Sequence, residues 1–232
     1  MISLRALVFP LPLRRPFWLW LALLSPAIAL TALVVADLTP DEAGVVREAQ
    51  GWGMPGQTLS DAVRAVTSTE FVVIVGIAIV AVHLLSRDCR GAVLLILLLL
   101  LMLATQAGIK EVVDRPRPSE VAAGIEVRAS QISPSFPAGH VMGAVVVYGW
   151  TLAMLLQARK RVRFRAWNPA VSIDGLLEWW YPARIALMAL LGAVVLLTGV
   201  VNIWLGVHWP TDVLGGYLWG AVLLMPALVA YE

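Results

Sequence analysis

Residues 91–109, GAVLLILLLLLMLATQAGI, form an apolar stretch without a single charged side chain. About 20 such residues are enough for a helix to cross the hydrocarbon core of a bilayer. The whole chain of 232 residues is 60% hydrophobic and only 14% charged, with a mean hydropathy of +0.84. Soluble domains carry about 25% charged residues. The sequence therefore predicts an integral membrane protein.

Other segments of the chain have a similar length and hydropathy. We place membrane-spanning helices near residues 17–36, 68–85, 91–109, 140–157, 184–205 and 212–230. The second is the weakest, because its uncharged part, residues 71–85, is short and contains His83. Helices are expected because single strands cannot satisfy their backbone polar groups in lipid. We predict an all-α, polytopic fold in which residues 1–232 form a single domain.

The connection between the first two segments, residues 39–66, is polar. Ser60-Asp61 is typical of a helix start, and Leu59, Val63 and Val66 then share one face. We predict a short helix there, lying on the membrane surface.

The distribution of Lys and Arg predicts the orientation of the chain, because cytoplasmic loops are enriched in these residues. Alternate connections place six of them on one side and eleven on the other, namely Arg5, Arg14, Arg15, Arg87, Arg90, Arg159, Lys160, Arg161, Arg163, Arg165 and Arg184. We expect the second side, with both termini, to be cytoplasmic in a cell membrane. The first segment has some signal-peptide character but is long for one.

Net charge and cysteine content exclude several classes of protein. A formal net charge of +2 is too small to indicate a nucleic-acid partner. The single cysteine, Cys89, excludes an internal disulfide and a cysteine-based metal cluster. The oligomeric state stays open.

Three short polar stretches carry the candidate chemistry, and all fall on the predicted outer side. The first is KEVVDRPRP, residues 110–118, where Lys110 and Arg117 are two helical turns apart. Arginine presents a planar fork that matches phosphate, and lysine adds a point charge. Arg115 is a further candidate. Cations that merely reach to the membrane interface are the alternative explanation.

The second and third stretches each contain a histidine. His140 follows Gly139 at the start of the fourth segment, where backbone N–H groups bind anions and a histidine can protonate a leaving oxygen. His208 and Asp212 are four residues apart in HWPTD, with Pro210 placed to start a helix. Asp212 can orient the imidazole for nucleophilic attack. An interfacial histidine and a capping aspartate are the alternative explanation.

Together the three stretches resemble the motifs of the type 2 phosphatidic acid phosphatase superfamily. Its first motif is Lys, six residues, Arg-Pro, matched by Lys110, Arg117 and Pro118. The second is Pro-Ser-Gly-His, matched at three positions by residues 137–140. The third is Ser-Arg, five residues, His, three residues, Asp, matched by His208 and Asp212.

The resemblance implies a lipid phosphatase in which His208 attacks phosphorus, Asp212 orients it and His140 protonates the leaving group. It implies no metal or other cofactor, because lysine and arginine supply the positive charge. Lys110, Arg117, Gly139 and Arg115 are the expected phosphate-binding residues, together with the two departures from the motifs. Ala138 stands in place of the family's serine, and Asn202 in place of its arginine.

The expected substrate is a membrane lipid phosphate: a prenyl diphosphate or a phospholipid phosphomonoester. Losing a charge-assisted contact costs about 1.5–3 kcal/mol, so Ala138 and Asn202 predict slower turnover or altered selectivity. Two alternatives stay open, a lipid-phosphate binder or transporter with weakened catalysis and a lipid phosphotransferase.

Overall fold

The computed structural model describes residues 14–53, 55–161 and 173–232, and this part of the chain forms nine helices and no strand. They are α1 (Arg14–Val35), α2 (Ala43–Gly51), α3 (Gln57–Thr67), α4 (Thr69–Leu85), α5 (Cys89–Val113), α6 (Pro118–Val121), α7 (Gly139–Arg161), α8 (Ile173–Trp204) and α9 (Pro210–Tyr231). Five of these, α1, α5, α7, α8 and α9, are long and apolar enough to cross a membrane. The all-α, multi-pass prediction is confirmed.

The second predicted segment is the weakest in the structure as well. Helix α4 has 17 residues, and it qualifies as a span only together with α3, from which it is bent by 48°. The break lies at Ser68, whose hydroxyl accepts a hydrogen bond from the N–H of Phe71 (3.2 Å) and so caps α4. Helix α4 is apolar but shorter than the roughly 20 residues that cross a bilayer, which explains why its sequence marks this span poorly.

The loop after α1 contains two helices, α2 and α3, where the sequence predicts one. The predicted start of the second at Ser60 is wrong, because α3 begins at Gln57. The Ser60 hydroxyl donates to the carbonyl of Gly56 (2.8 Å), one turn back along the helix. Gly56 precedes the helix with φ of 76°, a conformation that favours glycine.

The predicted orientation depends partly on basic residues near the end of α7 and in the segment after it. The side chains of Arg159, Lys160, Arg161, Arg163 and Arg165 lie outside the described residues.

Helix α7 is the central helix of the bundle. Of its span, 56% is buried, compared with 11% for α1. Helix α9 packs closely against it through a Gly-x-x-x-Gly pair, Gly216 and Gly220. A Cβ atom on Gly216 would lie 2.7 Å from the carbonyl oxygen of Ala138, and one on Gly220 would lie 2.8 Å from Cβ of Val145. Small residues allow this approach, which holds the start of α9 against the start of α7.

A buried polar network ties four helices together at the other end of the bundle. Nε1 of Trp150 donates to Nε2 of His83 (3.2 Å), so Nδ1 of His83 carries the proton and donates to Oδ2 of Asp88 (3.0 Å). The hydroxyl of Tyr231 donates to the same oxygen (2.6 Å). Burial raises the pKa of Asp88, but hydrogen bonds from Tyr231, Gly91 and His83 outweigh it and lower the pKa to about 2. His83 therefore joins α4, α5, α7 and α9.

We predict that His83→Ala destabilises the protein without changing the chemistry at the opposite end of the bundle. The substitution leaves the buried N–H of Trp150 without an acceptor, which costs about 1–3 kcal/mol. The apparent melting temperature in detergent should therefore be lower for His83→Ala than for the wild type. The matched control is His140→Ala, which removes a partly exposed histidine and should lower the melting temperature less. Equal melting temperatures for wild type and His83→Ala would contradict the assignment.

Candidate active site

His208 lies in the tight turn between α8 and α9. The backbone N–H groups of Val207 and His208 both donate to the carbonyl of Asn202 (3.3 Å each). Gly206 has φ of 70°, and a Cβ on it would lie 2.7 Å from the carbonyl oxygen of Glu126. The turn is therefore fixed on both sides, and His208 is only 1% exposed.

Asp212 is held by the start of α9. The helix begins at Pro210, as predicted, but it does not extend back to His208. Oδ2 of Asp212 instead accepts a hydrogen bond from the N–H of Trp209 (2.8 Å), which caps the helix. Nδ1 of His208 lies 3.5 Å from the same oxygen. That distance is at the outer limit of a hydrogen bond, and Nδ1 has no closer partner in the described part of the chain.

The charge state of His208 follows from its surroundings. Burial lowers the pKa of His208 to about 4, and the neighbouring Asp212 carboxylate opposes this effect. The imidazole is consequently neutral at pH 7, and one of its nitrogens keeps a lone pair for attack on phosphorus.

A loop, and not a helix, brings Lys110 and Arg117 together. Helix α5 ends at Val113, so the expected helical alignment of the two cations does not extend to Arg117. Nζ of Lys110 donates to the Ser133 hydroxyl (3.2 Å) and to the carbonyl of Pro134. Arg117 is 2% exposed; its Nε donates to the carbonyl of Ser133 (2.9 Å) and its Nη1 to that of Val207. The same Nη1 lies 3.5 Å from Nε2 of His208.

A cavity of about 350 Å³ joins several of the predicted residues. Lys110, Gly139, His140 and His208 all line it. Gly139 and His140 are the first two residues of α7. A Cβ on Gly139 would lie 2.4 Å from Nε2 of Gln106, so a larger residue here would displace the Gln106 side chain at the cavity wall.

The sequence interpretation missed other residues of this cavity, which are Arg64, Ser68, Thr69, Glu70, Gln106, Gln131 and Ser133. Gln106 left a signal, because a buried amide near the end of an apolar span needs partners. Arg64 left little signal, because an arginine on an amphipathic surface helix is usually solvated.

Arg115 lies apart from this cavity. Its Nη1 donates to Oδ1 of Asp212 (2.6 Å), and its Nη2 donates to Oε2 of Glu42 (2.6 Å). Glu42 is 5% exposed and also accepts from the N–H of Thr211 (2.7 Å). The guanidinium therefore neutralises two buried carboxylates, and it does not line the cavity.

Neither departure from the motifs contacts the cavity. Ala138 is fully buried and packs with Val141 and Val213. Asn202 is also fully buried, and its Nδ2 donates to the carbonyl of Thr198 (2.7 Å). One N–H of the Asn202 amide is thus used within α8, and the side chain does not line the cavity.

Comparison with known proteins agrees with this arrangement. A sequence model of the PAP2 superfamily matches residues 91–232, which is more than half of the chain and includes all three motifs. This chain belongs to the PAP2 superfamily. None of the curated proteins compared with it has a significantly similar sequence.

The fold is also found among solved structures of PAP2 proteins. The chain is similar to the crystal structure of a transmembrane PAP2-type phosphatidylglycerolphosphate phosphatase from Bacillus subtilis, with a TM-score of 0.66 and 19% sequence identity. The match covers 88% of this chain and 92% of the other. At 19% sequence identity, this structural similarity establishes the fold of the chain alone.

We predict that Arg115→Ala destabilises this PAP2 protein more than it weakens phosphate binding. Removing one partner of a buried ion pair costs about 3–5 kcal/mol, and here Asp212 and Glu42 would both lose their cation. The melting temperature and KM would be compared with those of Arg47→Ala, which removes an exposed arginine from α2. An unchanged melting temperature with a raised KM would instead assign Arg115 to the substrate.

Proposed function

We propose that this PAP2 protein is a membrane lipid phosphatase that hydrolyses a lipid phosphate or diphosphate through a phosphohistidine. The observation that carries the proposal is the buried, neutral His208, whose Nε2 lies beside the guanidinium of Arg117 in a cavity shared with Lys110 and His140. Family membership supports the same reaction. The residues 1–232 act as one domain in this proposal.

The first step transfers the phosphoryl group to the protein. Nε2 of His208 attacks phosphorus, and the bond from phosphorus to the leaving oxygen breaks. His140 gives its proton to that oxygen, which leaves as the lipid alcohol or lipid phosphate. Lys110 and Arg117 stabilise the negative charge on the phosphoryl oxygens. The carboxylate of Asp212 favours the positive charge that develops on His208.

The second step releases phosphate. Neutral His140 accepts a proton from a water molecule, whose oxygen attacks phosphorus as the phosphorus–nitrogen bond breaks. Inorganic phosphate departs, and His208 and His140 return to their starting states. The same phosphohistidine explains why transfer to a second lipid is a variant of this reaction and not a separate chemistry.

We also propose that the protein lies in the cytoplasmic membrane with both termini inside and the cavity at the outer surface. The distribution of Lys and Arg supports this orientation. The ends of the spans that surround the cavity all belong to connections on the predicted outer side.

Substitution of His208 tests its role as the nucleophile. Phosphate release by the purified protein in detergent would be measured with undecaprenyl diphosphate, phosphatidic acid, phosphatidylglycerolphosphate and a water-soluble phosphomonoester. His208→Ala is expected to lower kcat by at least about 10³-fold, because no other group replaces a covalent nucleophile. Mass spectrometry would detect one phosphoryl group on the peptide that contains His208. Lipid binding without His208-dependent release would support the alternative of a lipid-phosphate binder.

His140 is predicted to act mainly on poor leaving groups. His140→Gln should lower the rate of the first step, phosphoryl transfer to His208 in a single turnover, about 10²–10⁴-fold with a lipid alcohol as the leaving group. The loss in this first step should be much smaller with p-nitrophenyl phosphate, whose leaving group departs without a proton. An equal loss with both substrates would count against the role of a general acid.

The single cysteine offers a test of the orientation. Cys89 is exposed and begins α5 at the predicted inner side. In intact spheroplasts it should resist a membrane-impermeant maleimide, whereas Ile132→Cys in the Cys89→Ser background should react, because Ile132 is exposed in the predicted outer loop. The reverse labelling pattern would overturn the orientation.

A further inference from the structure

The cavity contains a cation that comes from outside the three motifs. Arg64 lies on the surface helix α3 and lines the cavity with Lys110, His140 and His208. Its Nη1 is buried and has no hydrogen-bond partner among the described residues. Leaving a buried donor without a partner is unfavourable, because the group has lost its hydrogen bonds to water. An unfilled donor on a charged group in a cavity therefore indicates a ligand that fills it.

The other cations near the cavity already have protein partners. Arg117 donates through Nε and Nη1 to backbone carbonyls, and Lys110 donates to Ser133 and Pro134. Asn202, which occupies the position of an arginine in the third motif, donates to Thr198. Two other arginines, Arg128 and Arg184, also have a buried nitrogen without a partner, but neither lines this cavity.

Helix α3 holds Arg64 in place from both sides. Val63 packs in a cluster with Val201, Leu205 and Val207, and the carbonyl of Val66 accepts a hydrogen bond from the hydroxyl of Tyr148 on α7. Arg64 thus lies between two anchored neighbours on a helix that contacts α7 and α8.

The charges around Arg64 favour an anion. It lies near enough to Arg117 and to His140 to interact with both electrostatically. Two carboxylates are close, Asp61 on the same helix and Glu70 at the cavity wall, and both side chains are exposed. Oδ1 of Asp61 accepts from Gln57 (2.8 Å). Arg64, Lys110 and Arg117 thus place three positive charges around one small cavity. A multiply charged oxyanion would balance them best.

We propose that Arg64 binds phosphate oxygens of the substrate and replaces the arginine that the third motif lacks. The inference rests on the proposed phosphatase function and adds to it a residue that the motifs do not contain. Arg64 supplies a planar, charged donor from the surface helix, at the position where α3 joins α4.

The first experiment tests binding without turnover. Inorganic phosphate would be titrated against the detergent-solubilised full chain, and the rise in melting temperature would give the apparent Kd. Arg64→Gln is expected to weaken phosphate binding roughly 10- to 100-fold, as for a lost charge-assisted contact. Arg64→Lys should lose less. Arg47→Gln removes the same charge from an exposed site outside the cavity and should bind like wild type.

Two results of this titration would overturn the proposal: equal phosphate affinity in wild type and Arg64→Gln, or no phosphate binding by the wild type. If Arg64→Gln does not fold, Arg64→Lys is titrated instead: a phosphate affinity below that of the wild type supports the contact, and an equal affinity overturns it. The titration needs no turnover, so phosphate binding can be measured even if the protein hydrolyses no substrate. Failure of the Arg64 proposal is therefore distinguishable from failure of the proposed phosphatase function.

The second experiment identifies which phosphate Arg64 contacts. Hydrolysis of phosphatidic acid and of undecaprenyl diphosphate would be compared in wild type and Arg64→Gln. An equal loss of kcat/KM for both lipids supports contact with the transferred phosphoryl group. A loss confined to the diphosphate supports contact with the second phosphate. Unchanged kcat/KM for both would overturn the proposal.

Discussion

The buried carboxylate of Asp212 is the constraint on which the site depends. Its two oxygens accept hydrogen bonds from Arg115 and from the N–H of Trp209, and Nδ1 of His208 lies 3.5 Å from one of them. A fully buried charge is tolerated only when it is paired and hydrogen-bonded. Arg115 provides that pairing and is itself shared with Glu42. One ion-pair network therefore joins three segments: the start of α9, the loop after α5 and the loop after α1. The turn that contains His208 packs against this network.

The cations of this region divide into two groups with different surroundings. Arg115 is paired with carboxylates and stabilises the scaffold. Lys110, Arg117 and Arg64 have no carboxylate within ion-pairing distance among the described contacts, and they surround the cavity at His208 and His140. Burying such charges without a direct ion pair costs stability, which the bundle tolerates because α7, α9 and the His83 network stabilise it elsewhere. Binding sites commonly retain this kind of strain, because the substrate relieves it.

The fold was largely predictable because the bilayer imposes a simple rule on sequence. Apolar runs of about 20 residues must form helices, and each of the long helices of the structure corresponds to one such run. Helix α4 was predicted weakly because it is short and continues a polar helix. Helix α2 and the true start of α3 were not predicted, because surface helices at a membrane are governed by local capping and by contacts with the loops above them. The basic segment that includes Arg163 and Arg165 lies outside the described residues, and the orientation stays a prediction.

The sequence by itself determined the all-helical membrane fold, the PAP2 motifs and the residue types able to handle phosphate, since hydropathy and short spacings are local properties of a chain. Only the tertiary structure decided which cations share a cavity. Arg115 and Arg117 are two residues apart, yet one pairs with Glu42 and the other lies beside His208. Arg64 belongs to no motif, yet it lines the cavity with Lys110, His140 and His208. These assignments depend on how α3, the loop after α5 and the turn before α9 pack together. Contacts between residues far apart in sequence cannot be read from spacing alone.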